Sequence, residues 1–243
     1  MCTLSWRPER DGYVLLFNRD ERRARAPALP PERRVRAGVS YVAPIDGDHG
    51  GTWVGVNESG ITTGLLNRYQ ARADTSRTPP VSRGLLVAEL LDSASVAEVA
   101  NRLRNRSLAP FQPFIIASVE TGAPVALFDW DGSRLVESSV TEPGIVRVSS
   151  GVTQSEADRS RRAVLAQLIA DAGGLTEAVL VELHRSHLPE RGPLSVCMHR
   201  EEASTVSRTL IRVTGDTAEV EYVPGPPGET EPLPAVVLAR RQR

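Results

Sequence analysis

The first part of the chain alternates short apolar runs with turn signals. CTLSW, YVLLFN, SYVAP, TWVGVN and GITTGLLN are rich in β-branched, aromatic or leucine residues and are bounded by Asp-Gly, Gly-Gly or Glu-Ser-Gly. Runs of this length between such boundaries predict strands. Asp11-Gly12 predicts a hairpin between the first two, which sets Cys2 beside the strand end that carries Asn18 and Asp20. The period then changes. RGLLVAELLDSASVAEVANRLRNR has apolar residues three and four apart, predicting two helices that break near Asp92, with Ser95 as the N-cap of the second. PFIIASVE, PVALFDWD and RLVESSV return to strand patterns. EADRSRRAVLAQLIADA and LTEAVLVELHRSH predict helices ended by Gly173-Gly174 and by Pro189, and LSVCMH, STVSRTLIRV and AEVEYV predict closing strands. From Pro224 onward, proline and glycine predict an extended or loose tail.

Strands and helices that segregate in runs indicate an α+β fold, not the strict alternation of a dinucleotide-binding sheet. No linker marks a boundary, so residues 1–223 are expected to form one domain followed by a Pro/Gly-rich tail over 224–243. There is no internal repeat and no GxGxxG.

Composition narrows the function. With 40% apolar residues and 19 glycines in 243, the chain has the make-up of an ordinary globular protein. It lacks an uncharged apolar run of about 18 residues and a basic segment leading into an apolar one. The expectation is a soluble cytoplasmic protein with no membrane span, in which Cys2 and Cys197 are free thiols. All 29 basic residues are arginine, which excludes a Walker lysine, a Schiff-base lysine and a lysine general base. A net charge of −1 argues against a nucleic-acid partner, because phosphate neutralisation needs a basic excess or patch. Arginines crowd positions 19–36, but Glu21 and Glu32 are interspersed and Pro27, Pro30 and Pro31 predict a solvated, extended loop. None of His49, His184, His187 and His199 lies in an HExxH pattern, and no cysteine or carboxylate at ligand spacing completes a site with His184 and His187. No metal site and no cofactor are expected. Oligomeric state cannot be read from these patterns.

The chemistry concentrates at the start. Once Met1 is removed, Cys2 carries a thiol and a free α-amine, a nucleophile beside its own base. With a reference pKa of about 7.7 to 8.0, that amine accepts a proton near neutral pH, and a nearby arginine favours the thiolate. Acyl transfer also needs an amide or backbone N–H to hold the oxyanion. Arg19 and Asp20 at the end of the second strand, and Asn67 at the end of GITTGLLN, are the candidates, with Asn18, Glu21 and Trp53 as possible substrate-binding neighbours. Each has a plain structural reading too: Cys2 and Trp53 as core residues, Asn18 and Asp20 as turn formers, Asn67 as a strand end.

In order and spacing, MCTLSW, FNRDE with Arg25 and Pro27, GGTWVGVNESGITTGLLNRY and SRG resemble the NRDE or transport-and-Golgi-organisation family; the later SVC and SRT are similar to its C-terminal segment. More distantly, GVNESGITTGLLN after an initial MC is similar to choloylglycine hydrolases and penicillin V acylases. That resemblance implies an N-terminal nucleophile hydrolase-like αββα sandwich of two mainly antiparallel sheets. It also implies Cys2 as nucleophile with its amine as base, Arg19 and Asp20 around them, and Asn67 as oxyanion donor. The substrate implied is a small-molecule amide, or an acyl thioester. The pattern departs in two places: Arg19 and Asp20 are adjacent rather than separated by two residues, and SSG at 149–151 replaces an asparagine-containing turn. A late catalytic arginine is not assigned among Arg161, Arg162 and Arg208. Eukaryotic members of the family are linked to haem and lipid handling, so a non-catalytic carrier of haem or lipid is the alternative, although no CxxCH signature marks a haem site. Pocket walls are expected from the loops at 26–38 and 69–80.

Overall fold

The structure, a computed structural model, describes residues 2–71, 80–151 and 154–241. Two antiparallel sheets carry the fold. The first runs in the order β10(Gly144–Ser149), β1(Cys2–Glu9), β2(Gly12–Arg22), β11(Ala203–Val213), β12(Thr217–Val223), β13(Val236–Ala239). The second follows the chain more closely, as β3(Leu29–Arg36), β4(Val39–Ile45), β5(Val54–Asn57), β6(Thr62–Asn67), β7(Phe114–Val119), β8(Val125–Trp130), β9(Leu135–Val140).

Alternation along the strands sorts side chains between two faces. On β1, Cys2, Leu4 and Trp6 point into the core between the sheets, as do Tyr13, Leu15 and Phe17 on β2. Val14 and Leu16, on the opposite face of β2, pack with Ile145 and Val148 against α3(Gln154–Ala172) and α4(Glu177–Arg185). The second sheet turns Leu65, Ile116 and Phe128 toward α1(Arg83–Leu90) and α2(Val96–Arg104). The layers are therefore helix, sheet, sheet, helix: an αββα sandwich. Ser95 caps α2 as expected, its hydroxyl accepting from the Glu98 N–H. Gly12 opens the hairpin's second strand where a Cβ would fall 1.7 Å from the Val213 carbonyl oxygen, and Gly64 lets β6 approach Leu4 and Phe17 across the core. Phe17 is fully buried, so truncating it to alanine would cost about 3 to 5 kcal/mol.

Four segments differ from the sequence reading. The arginine-rich stretch expected to be a solvated loop forms β3; it lies at the edge of its sheet, where Pro30 and Pro31 leave no inner ladder unsatisfied and the charged side chains discourage further pairing. GIVRVS, unassigned from sequence, is the edge strand β10. LSVCMH is not a strand: its backbone groups are met one by one, the Cys197 N–H donating to the Ser186 carbonyl and the His199 N–H to the Gly192 carbonyl, with Asn18 donating to the Val196 carbonyl and Thr205 Oγ1 accepting from the Met198 N–H. The segment after Pro224 is not loose, because it contributes β13, paired to β12.

Candidate active site

Cys2 starts β1 as an interior strand, opposite Arg19 on β2 and Ser149 on β10. It lines a cavity of about 240 Å³ together with Arg19, Asp20, Glu21, Trp53, Asn67 and Arg83. Burial pushes its thiol up to about 11, against which the Asp20 backbone supplies a hydrogen bond. Met1, and with it the expectation of its removal, lies outside the described residues. In the chain that carries Met1 the Cys2 nitrogen is a peptide nitrogen.

Adjacent residues on a strand face opposite ways, and β2 obeys this at Arg19 and Asp20. Arg19 faces the cavity: its guanidinium lies 4.2 Å from the Trp53 ring centroid, 2.6 Å from Asp46 Oδ2 and 3.5 Å from Glu21 Oε2. Asp46 is further held by Arg25 at 2.8 Å. Burial alone would push the Asp46 carboxyl up, but Arg25, Arg19 and the His49 N–H hold it below the usual carboxylate range.

Asp20 turns the other way, toward the helices. Its Oδ1 accepts from Thr205 Oγ1 at 2.6 Å, and Oδ2 stands 3.8 Å from Arg161. Burial raises its pKa, with Arg161 opposing. Opposite this dipeptide the register of β11 shifts between Thr205 and Ser207, so one strand carries an extra residue where the site is built. The shift coincides with the place where Asp20, though turned from the core, still lines the cavity rim.

The structure also sorts the three arginines left open by the sequence. Arg161 is the largest fully buried side chain; its Nε donates to the Leu194 carbonyl at 3.3 Å and its Nη1 to Thr3 Oγ1, one residue from Cys2. Arg162 pairs with Asp158, and Arg208 with Glu221. Asn18, expected near the substrate, stands apart on the helix side of β2. Its Nδ2 donates to the carbonyls of His184 (2.9 Å) and Val196 (3.2 Å), and its Oδ1 meets His184 Nδ1 at 2.8 Å. His184 is fully buried, with its pKa well below the ordinary value through burial and the arginines 208 and 161, and its Nε2 meets Ser5 Oγ at 2.7 Å. It bridges β1, β2 and the helix layer.

Asn67 reaches the cavity from the other sheet and donates to Tyr69 Oη at 3.0 Å. In place of an asparagine-containing turn, Ser149 donates its hydroxyl to the Asn67 carbonyl, and Gln154 accepts from the Ser150 N–H at 2.7 Å. Sequence reasoning missed two contributors, Asp46 and Arg83, and expected Tyr69 only as the start of a wall loop. Arg83 sits in the SRG tripeptide and donates to the Pro113 carbonyl at 2.9 Å, with burial lowering its pKa. Of the expected wall loops, 26–38 is largely strand β3, and 72–79 lies outside the described residues; Pro80, Val81 and Ser82 line the cavity.

The described residues contain two groups able to offer three ligand atoms to a cation. Asp46, Asp48 and His49 flank the cavity and are occupied by arginines; His187, Cys197 and His199 lie elsewhere. No helix among the described residues is long and apolar enough to cross a membrane.

The model of the Transport and Golgi organisation 2 family matches residues 1–217. No curated protein matches by sequence. Among solved structures, the chain is similar to a Caenorhabditis elegans N-acylethanolamine-hydrolyzing acid amidase ortholog, at 14% identity and TM-score 0.62 over 87% of this chain and 92% of that one. It is also similar to penicillin V acylase from Agrobacterium tumefaciens (14%, 0.52, 92% and 86%) and to a mutant conjugated bile acid hydrolase from Clostridium perfringens (10%, 0.60, 100% and 97%). At these identities the likeness is one of fold.

Proposed function

Because the chain belongs to the Transport and Golgi organisation 2 family and shares its fold with amide-cleaving enzymes, we propose that it is an N-terminal cysteine hydrolase or acyltransferase acting on a linear amide or thioester. The observation that carries this reading is the cavity itself, where Cys2, Arg19 and Asn67 converge from two sheets. Removal of Met1 frees the α-amine of Cys2. The thiol proton passes to that amine, and the thiolate, favoured by Arg19, attacks the substrate carbonyl carbon. A C–S bond forms as the C–N bond breaks, and the leaving amine takes the proton back from the ammonium. Water, deprotonated by the same amine, then cleaves the thioester and releases the acid, or a second amine accepts the acyl group.

Asn67 Nδ2 supplies the oxyanion donor by turning from Tyr69 to the developing charge. Asp20, anchored with Thr205 and near Arg161, fixes the strand end at which the amine stands. Glu21 and the Arg19–Trp53 stack form the wall that receives the substrate.

Intact mass and an electrophilic acyl probe test the proposal together. The purified protein is expected to lack Met1 and to be labelled at Cys2, not at Cys197. A protein that retains Met1 has no free amine at Cys2, and the catalytic reading fails.

A second reading is favoured by one pair of observations: the Cys2 thiol is pushed up to about 11 and the Asn67 amide is engaged with Tyr69. On that reading the same cavity binds a haem or lipid ligand without turnover. Saturable binding to a Met1-free protein that no acyl probe labels would support it.

A further inference from the structure

At the far end of α4 the chain leaves the helix at His187, makes an irregular loop, and returns to β11 through Cys197 and His199. His187 Nε2 and His199 Nε2 are 3.0 Å apart, and Cys197 Sγ is 3.7 Å from the same His199 nitrogen. All three atoms lie within 4.8 Å of one another. A tetrahedral zinc ion with Zn–N of about 2.0 to 2.1 Å and Zn–S of about 2.3 Å would hold N···N at roughly 3.3 Å and N···S at roughly 3.6 Å. The two spacings that involve His199 differ from these by a few tenths of an ångström, and the third, between His187 and Cys197, lies within 4.8 Å. Glu229 Oε1, 3.8 Å from His187 Nε2 and held by Arg191 at 2.7 Å, lies at the edge of the group.

We propose that His187, Cys197 and His199, with solvent at the fourth position, form a zinc site that staples this loop. The donor set selects the metal: two imidazoles and a thiolate suit zinc, whereas calcium and magnesium require oxygen ligands. Binding releases the thiol proton to solvent and forms the Zn–S bond, with no redox change. His199 must then carry its proton on Nδ1. Its long contact with Arg191, 3.5 Å, gives way, and Arg191 keeps Glu229 at 2.7 Å. The competing group of Asp46, Asp48 and His49 has its carboxylates engaged by Arg19 and Arg25.

The staple has a consequence for the cavity. The same loop offers the Leu194 carbonyl to Arg161, the Val196 carbonyl to Asn18 and the Met198 N–H to Thr205, whose hydroxyl reaches Asp20. Fixing the loop fixes the groups behind β2.

Cobalt(II) titration of the full chain under reducing conditions reads this directly. The expected result is saturation at one equivalent with a thiolate-to-cobalt charge-transfer band, displaced by zinc, retained in Cys2→Ser and Asp46→Asn, and lost in Cys197→Ser. Should Cys197→Ser fail to fold, His187→Gln keeps the sulfur and one imidazole. It is expected to weaken cobalt binding by about a hundredfold or more, at or above the upper end of what second-shell changes cost. Absence of the band in the parent protein, a band that follows Cys2, or undiminished binding by His187→Gln overturns the assignment.

Discussion

The two cysteines occupy neighbourhoods that share burial and little else. Burial lifts both thiols, Cys2 to about 11 and Cys197 to about 12. Around Cys2 stand groups of both signs: the Arg19 and Arg83 guanidiniums, the Asn67 amide and the Asp20 backbone, with the Asp20 and Glu21 carboxylates that help raise the thiol. Around Cys197 stand lone pairs: two imidazole nitrogens and, beyond them, a carboxylate. The first set, donors and cations balanced by carboxylates, suits a charge that comes and goes, the second a resident positive one. Burial alone therefore says nothing about what a thiol is for; the polarity of the groups that meet it does.

The contrast can be broken at several points. Cys2→Ala is expected to reduce amide turnover by about 10⁴-fold or more, as for other lost nucleophiles, measured with a panel of acyl-amide substrates; residual turnover near the parent rate would remove Cys2 from the chemistry. Asn67→Ala should lower kcat about a hundredfold with a smaller change in KM, and an unchanged kcat would disqualify it as the oxyanion donor.

Asp46 tests the charged surround. Its folded pKa lies below 3.8, so its contribution to stability is fully present above the unfolded pKa of 3.8 and is lost as pH falls through the folded value. Asp46→Asn should cost about 1 to 3 kcal/mol at neutral pH and flatten the acid side of a melting-temperature profile; a parallel profile would show that Arg25 and Arg19 find other partners. The smallest effect expected is in alkylation. With Met1 attached, Cys2 should react slowly at pH 8 and faster as pH approaches 11, whereas the Met1-free chain should react about tenfold faster at pH 8. Equal rates would mean that the amine does not assist the thiol.

Much of this was legible before any coordinates. The hairpin was legible at Asp11-Gly12 but its register was not: the loop residues are Arg10 and Asp11, Gly12 pairs with Glu9, and Cys2 therefore stands opposite Arg19, whereas a loop at Asp11-Gly12 would have set it opposite Glu21. The opposed faces of Arg19 and Asp20 followed from the two-residue period, and the register shift on β11 beside them is what sequence could not supply. The histidine and cysteine cluster was invisible for a different reason. His187 and His199 are separated by a loop whose backbone is held by Asn18, Arg161 and Thr205, side chains from β2, α3 and β11. No local spacing encodes that return, and LSVCMH consequently read as a strand. The arginines of β3 misled in the opposite sense: charge and proline, taken as signs of a loop, protect an edge.

The position of β1 between β10 and β2 has a practical corollary. Anything fused ahead of Cys2 starts from an interior strand whose first residue lines the cavity, next to whatever ligand belongs there. At the other end β13 is an outermost strand, and an affinity handle placed there leaves the cavity clear.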